Sequence, residues 1–216
     1  MKYFTHYWTN ETWEREKNRN LIGELLDHTA GNLFKKRGVG IGDAVYIVTV
    51  IKGKLFVCVK VIVSKICDEA QAAKILNDYE LWENATDHII TSESTPINWN
   101  NEVALADTKQ LKFISGSKII NLDFKTPTKL DQQTLRGVRQ LEPKSAAILD
   151  KPLGKLKLIK SKADHKRQKS LWIEEEIENE ETEEFESGVK ATENKDIQLI
   201  TNAYLKIVGR QLKFTA

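Results

Sequence analysis

The stretch AVYIVTVIKGKLFVCVKVIVSKI, residues 44–66, constrains the fold more than any other part of the chain. Two runs rich in β-branched and aromatic residues meet at Lys52, Gly53 and Lys54, and that spacing predicts a β-hairpin at the centre of a domain. The residues around it suit a mixture of strands and helices. KYFTHYW reads as a first strand. TNETWEREKNRNLIGELLDH reads as a helix capped by Thr9 or Asn10, with a polar middle where it can break near Asn18 to Asn20. HTAGNLFKKRGVGIGD, residues 28–43, reads as a glycine-punctuated loop. DEAQAAKILND is a short helix with an aspartate cap, and DHIIT and LKFIS are weaker strands followed by a Ser-Gly-Ser turn. LDQQTLRGVRQLEPKSAAILDKPL closes the domain as short helices, with Pro143 in a first helical turn and Pro152 with Gly154 as a stop. Strands and helices do not alternate evenly, so a doubly wound parallel sheet is disfavoured. The expectation is an α+β fold, a small barrel-like sheet with peripheral helices.

Charge divides the chain near Leu153. Residues 1–153 carry 21 basic and 19 acidic side chains and residues 154–216 carry 12 of each, so neither part has the basic excess of a nonspecific nucleic-acid binder. Beyond the boundary, KLKLIKSKADHKRQK is followed by the acidic run EEEIENEETEEFE, the pattern of a charged linker. ENKDIQLITNAYLKIVGRQ then spaces Ile197, Ile200, Tyr204 and Ile207 as one apolar helix face, which must dock on the domain, a partner or a second copy. Trp172, beside the acidic run, is expected to pack this extension. Neither a basic-apolar leader nor a run of roughly 20 apolar residues is present, so a cytoplasmic protein with no membrane segment is expected. Cys58 and Cys67 lack metal or redox spacing and read as buried thiols.

Catalytic motifs are missing. GVGIGD precedes a strand where a dinucleotide loop must follow one and open a helix, and there is no GxxxxGK[ST], HExxH or GxSxG. No enzyme activity and no cofactor or metal are expected from these residues. What does stand out is YFTHYWTNETWE, residues 3–14, with five aromatic rings in twelve positions. In a strand, Tyr3, Thr5 and Tyr7 face one way and Phe4, His6 and Trp8 the other. One set must fill a core, and Phe4 is assigned there.

Four segments carry a family resemblance: YFTHYWTNETWE, HTAGNLFKKRGVGIGDAVYIVTVIKGKLFVCVKV, LKFISG and LDQQTLRGVRQLEPKSAAILD. Together they resemble the EVE-type domains of the PUA-like superfamily, found alone or joined to HNH nucleases and related to the YTH and SRA readers of modified bases. The resemblance covers nearly all of residues 1–153. It implies a mixed β-sheet curving toward a barrel, with a pocket that accepts one flipped base, and a role in defence or modification-dependent restriction with modified DNA as partner, the base being a modified cytosine such as 5-methylcytosine. Beyond residue 153 there is one histidine and no cysteine, so an HNH nuclease is not expected within this chain; its nuclease would be a separate or fused partner. An RNA-binding PUA-like protein is the alternative from another class. The C-terminal helix leaves a homodimer open.

Set against that implied pocket, Tyr7, Trp8, Trp13, Trp82 and Trp99 are the candidate cage. Thr9, Asn10, His28, Thr29, Asn32 and Ser115 are the candidates for polar contacts to a base edge, since amides can donate and accept at once. His28 has a competing reading as a helix C-terminal cap. Lys35, Lys36 and Arg37 in one loop, and Arg136 with Arg139 one helical turn apart, are the candidate phosphate contacts. Asp43 is expected to orient the turn before the hairpin.

Overall fold

The computed structural model describes residues 1–19, 21–77, 81–82, 85–154 and 157–160. The charged runs at 155–169 and 174–186, Trp172 and the amphipathic stretch at 193–211 lie wholly or mainly outside the described residues. So does any dimer contact expected of that stretch.

The chain folds as α+β around one large mixed sheet. In order it runs β1 (Tyr3–Tyr7), α1 (Asn10–Asn18), β2 (His28–Gly31), β3 (Ala44–Ile51), β4 (Lys54–Cys67), α2 (Glu69–Leu76), β5 (Asp87–Ser94) and α3 (Leu105–Thr108). It continues through β6 (Lys112–Ser115), β7 (Lys118–Asn121), β8 (Phe124–Thr126), β9 (Lys129–Leu130), a short 3₁₀ turn, β10 (Val138–Leu141), α4 (Pro143–Leu153) and β11 (Ile159–Lys160). The sheet path is β11-β5-β4-β3-β1-β10-β6-β7, with β2 added beside β5, and β8 with β9 forms a separate ribbon. Among the described residues β7 and β11 are not paired to each other, so the expected barrel is an open sheet. Among the described strands the one parallel pairing is β1 on β3, which inserts the first strand beside the hairpin it precedes in sequence.

The predicted hairpin is present as β3 and β4. Its turn puts Lys52 and Gly53 at positive φ, the type I′ geometry whose twist matches that of its strands. Gly53 is needed for a second reason: a Cβ there would lie 2.9 Å from that of Lys129, where β9 crosses the turn. β3 is buried at every position but the last, because apolar clusters cover both faces of the sheet. On one side Tyr7, Tyr46, Val48, Leu55, Phe113 and Leu149 gather beneath α4; on the other Phe4, Trp8, Trp13, Ile47, Val59 and Trp99 gather beneath α1. The alternation of β1 holds, and Phe4 is core. α4 is tied to the sheet by Tyr46, whose hydroxyl donates to Asp150, and by Lys60, which pairs with the same carboxylate.

α1 is capped by Thr9 and stops at Asn18, where its polar middle was expected to break. Asp68 caps α2, and Asp43 accepts hydrogen bonds from the backbone of Lys2 and Gly40, fixing the entry to β3. Two expectations are corrected. His28–Gly31 is strand rather than loop: its backbone groups find partners in β5, which no local apolar pattern announces. Val138–Leu141 is strand rather than helix. Gly137 at φ 75° redirects the chain after the 3₁₀ turn, and the residues that follow pair with β1. Arg136 and Arg139 therefore do not share a helix face. Cys58 and Cys67 are buried and unpaired, and burial pushes both thiols up from their ordinary range. Among the described residues no helix is long and apolar enough to cross a membrane.

Candidate functional site

The turn at residues 32–38 separates two depressions. It is wound tightly, with the Arg37 amide donating to the Leu33 carbonyl and the Val39 amide to Phe34, so residues only a few positions apart face different surroundings. Before the turn lies an aromatic recess of about 360 Å³, and after it lies a basic cleft of about 550 Å³.

Tyr7, Trp8, Thr9, Asn32 and Trp82, five of the expected pocket residues, line the recess with His6, Thr12, Gly31 and Ala85. Trp8 and Trp82 form its corner, ring centroids 5.3 Å apart and planes at 60°. Their rings touch each other, so this is a corner and not the parallel sandwich a preformed cage requires. Trp82 is the less buried of the two. Arg15 lies over its ring at 5.5 Å while pairing with buried Glu16, which ties Trp82 to α1. Trp8 is 2% exposed and is fixed by its indole N–H donating to Thr29.

Trp13 and Trp99 are corrected from cage to core. They meet edge to face at 5.1 Å, and Trp99 backs onto Trp8 at 6.4 Å. Both are buried, so they support the recess from behind and contribute no surface to it. Tyr7 reaches the recess, but its ring packs in the opposite core. Thr29 is fully buried, so it orients Trp8 and does not line the recess. The Asn10 side chain bonds Thr49 instead. His28 stacks on His88 at 5.1 Å, shares a hydrogen bond of 2.9 Å with it and meets Trp82 edge-on. Its place in β2 removes the helix-cap reading. The Asn32 carbonyl oxygen accepts from the Thr86 amide, which leaves the Asn32 Nδ2 without a partner among the described residues.

Sequence reasoning missed His6 as a lining residue. Its ring packs on Phe34 at 4.7 Å and against Gly31, where a Cβ would come within 3.1 Å of Cε1, so glycine is what lets the ring fit. Both ring nitrogens are buried without a hydrogen bond. Burial lowers its pKa from 6.5 to about 4; the Ala30 backbone nearby, too poorly aligned for a hydrogen bond, offsets this slightly. His6 is therefore neutral at physiological pH. Its place in alternation with Phe4 and Trp8 was the available signal.

The cleft collects Lys36, Arg37, Arg136 and Arg139, four of the five expected phosphate contacts. The fifth, Lys35, turns away to pair with Asp87. Ser115 lines the cleft and not the recess, a second correction of role, since the β6–β7 turn carries it to the far side of β10. Arg139 is held in place: its guanidinium lies 4.5 Å over Phe113 and donates to the Thr134 carbonyl, and burial lowers its pKa. Lys36, Arg37 and Arg136 are exposed and make no ion pair among the described residues. Gln133, Thr134, Gln140 and Asp123 complete the cleft.

The two depressions are built on hydrogen-bonded neighbours. His6 of β1, in the recess, pairs in register with Val138 of β10, in the cleft. Tyr7 donates its amide to the Gly137 carbonyl at 3.0 Å, next to Arg136. No protein-family model matches the sequence, and neither a curated protein nor a solved structure matches it.

Proposed function

We propose that this chain is a nucleic-acid-binding module of the EVE type in the PUA-like superfamily, which receives one extruded base, a modified cytosine in DNA, in the aromatic recess while the adjoining cleft holds the backbone. The observation that carries the reading is the juxtaposition itself: a tryptophan-walled recess and a cleft with three cations that make no ion pair among the described residues, separated by one turn and one pair of strands. The open sheet departs from a closed barrel, so the family reading rests on the sequence resemblance and on this site.

The energetics suit such a role. Extruding a base costs a few kcal/mol, and stacking on an aromatic ring returns about 1–3 kcal/mol per base. Trp8 and Trp82 supply the aromatic wall, with Arg15 over part of the Trp82 ring. A buried methyl adds only about 0.8 kcal/mol, so discrimination requires polar edge contacts as well, for which the Asn32 Nδ2 and the Thr12 hydroxyl are at hand. Long-range attraction comes from the cleft, since the domain as a whole is nearly neutral.

Titration of a short DNA duplex at several salt concentrations tests the backbone contact. Replacing Arg136 or Lys36 by alanine is expected to reduce the slope of log affinity against log salt by about one unit each, without altering which base is preferred. Salt-independent binding, or slopes unchanged in both variants, contradicts the proposal.

A further inference from the structure

We infer that the cleft holds the whole nucleotide next to the extruded base and selects there for a base bearing an exocyclic amino group. This rests on the reading of the recess given above. Size is the first ground: at about 550 Å³ the cleft exceeds the recess proposed for a base, whereas a backbone phosphate alone needs only surface cations.

Lining chemistry is the second. Ser115, Gln133, Thr134 and Gln140 bring hydroxyls and amides suited to a base edge, and Asp123 brings a carboxylate that would repel a phosphate beside it. The backbone of Asp123 is pinned on both sides, its amide donating to the Thr134 hydroxyl at 3.3 Å and its carbonyl accepting from Asp131 at 2.9 Å. Its side chain makes no hydrogen bond and no ion pair among the described residues. An ionised carboxylate is an acceptor only, which matches the amino group of cytosine, adenine or guanine and finds none on thymine.

Spacing is the third ground. The recess and the cleft are lined from adjacent paired strands, which are about 4.8 Å apart, a separation that one sugar-phosphate link can span. A base in the recess thus places its neighbour, and not a remote nucleotide, in the cleft. Lys36, Arg37 and Arg136 then meet the phosphate between the two.

The test is a binding panel of oligonucleotides with one fixed modified cytosine and each of the four bases, or an abasic site, at either flank. One flank is expected to favour amino-bearing bases over thymine by about tenfold, and the abasic flank is expected to bind as weakly as thymine or worse. Asp123→Ala and Asp123→Asn should abolish that preference while leaving discrimination of the modified base unchanged. Affinity independent of both flanks, or a flank preference that survives both substitutions, overturns the inference. Flank preference that persists while the modified and unmodified targets bind equally overturns the reading of the recess instead.

Discussion

Trp13→Ala is expected to destabilise the protein by about 3–5 kcal/mol, and Trp82→Ala to leave it folded while weakening binding of its preferred oligonucleotide roughly ten- to hundredfold. The contrast follows from burial. Trp13 is fully buried, packed edge to face on Trp99, and its removal leaves a large cavity behind Trp8. Trp82 is only partly buried, at the rim of the recess, and gives up less contact on truncation. Urea unfolding followed by circular dichroism separates the two effects, because it does not depend on the indole fluorescence that both substitutions alter. Equal destabilisation by both, or equal loss of binding by both folded variants, would contradict the division of the tryptophans into support and surface.

His6 is expected to make stability fall steeply in mild acid. Its folded pKa of about 4 lies below the ordinary 6.5, so between these values the unfolded chain binds more protons than the folded one. The contribution is fully present above about pH 6.5 and is lost as pH drops toward 4. A difference of about 2.5 pH units corresponds to about 3 kcal/mol. Among the described residues neither ring nitrogen has a hydrogen-bond partner and no carboxylate pairs with the ring, which is why the cost of protonating it is large. The measurement is the difference between the parent and His6→Phe across pH 4 to 8, which removes the contributions common to both proteins. Between pH 6.5 and 4 the parent should lose about 3 kcal/mol more than His6→Phe. Parallel curves would mean that His6 takes up its proton as readily in the fold as in the unfolded chain, which contradicts a ring held neutral by burial.

Much of this site was visible in residues 3–14. Alternation separated Phe4 from Tyr7, and Thr9 announced the cap that places Trp8 at the end of β1 and Trp13 on the first turn of α1. The central hairpin was legible because its turn chemistry and its strand composition agree. Burial was harder to read. Trp99 stands among asparagines and still enters the core, because Trp13 and Trp8 provide a surface for it that only the folded chain brings together. The strand at Val138–Leu141 reads as helix in isolation, and its pairing with β1 lies more than 130 residues away in sequence. The clustering of Lys36 and Arg37 with Arg136 and Arg139 depends on that pairing, so the separate basic residues were found while the cleft they form was not.

The central claim is that the recess beside Trp82 distinguishes a modified base from its parent. Competition among matched oligonucleotides measures this directly: unmodified cytosine, its 5-methyl, 5-hydroxymethyl and glucosylated forms, and N6-methyladenine, each in DNA and in RNA. One modified DNA is expected to compete roughly tenfold better than its unmodified counterpart, and Trp82→Ala is expected to lose that preference while remaining folded. Equal competition by every oligonucleotide, or a preference unchanged in Trp82→Ala, would contradict it.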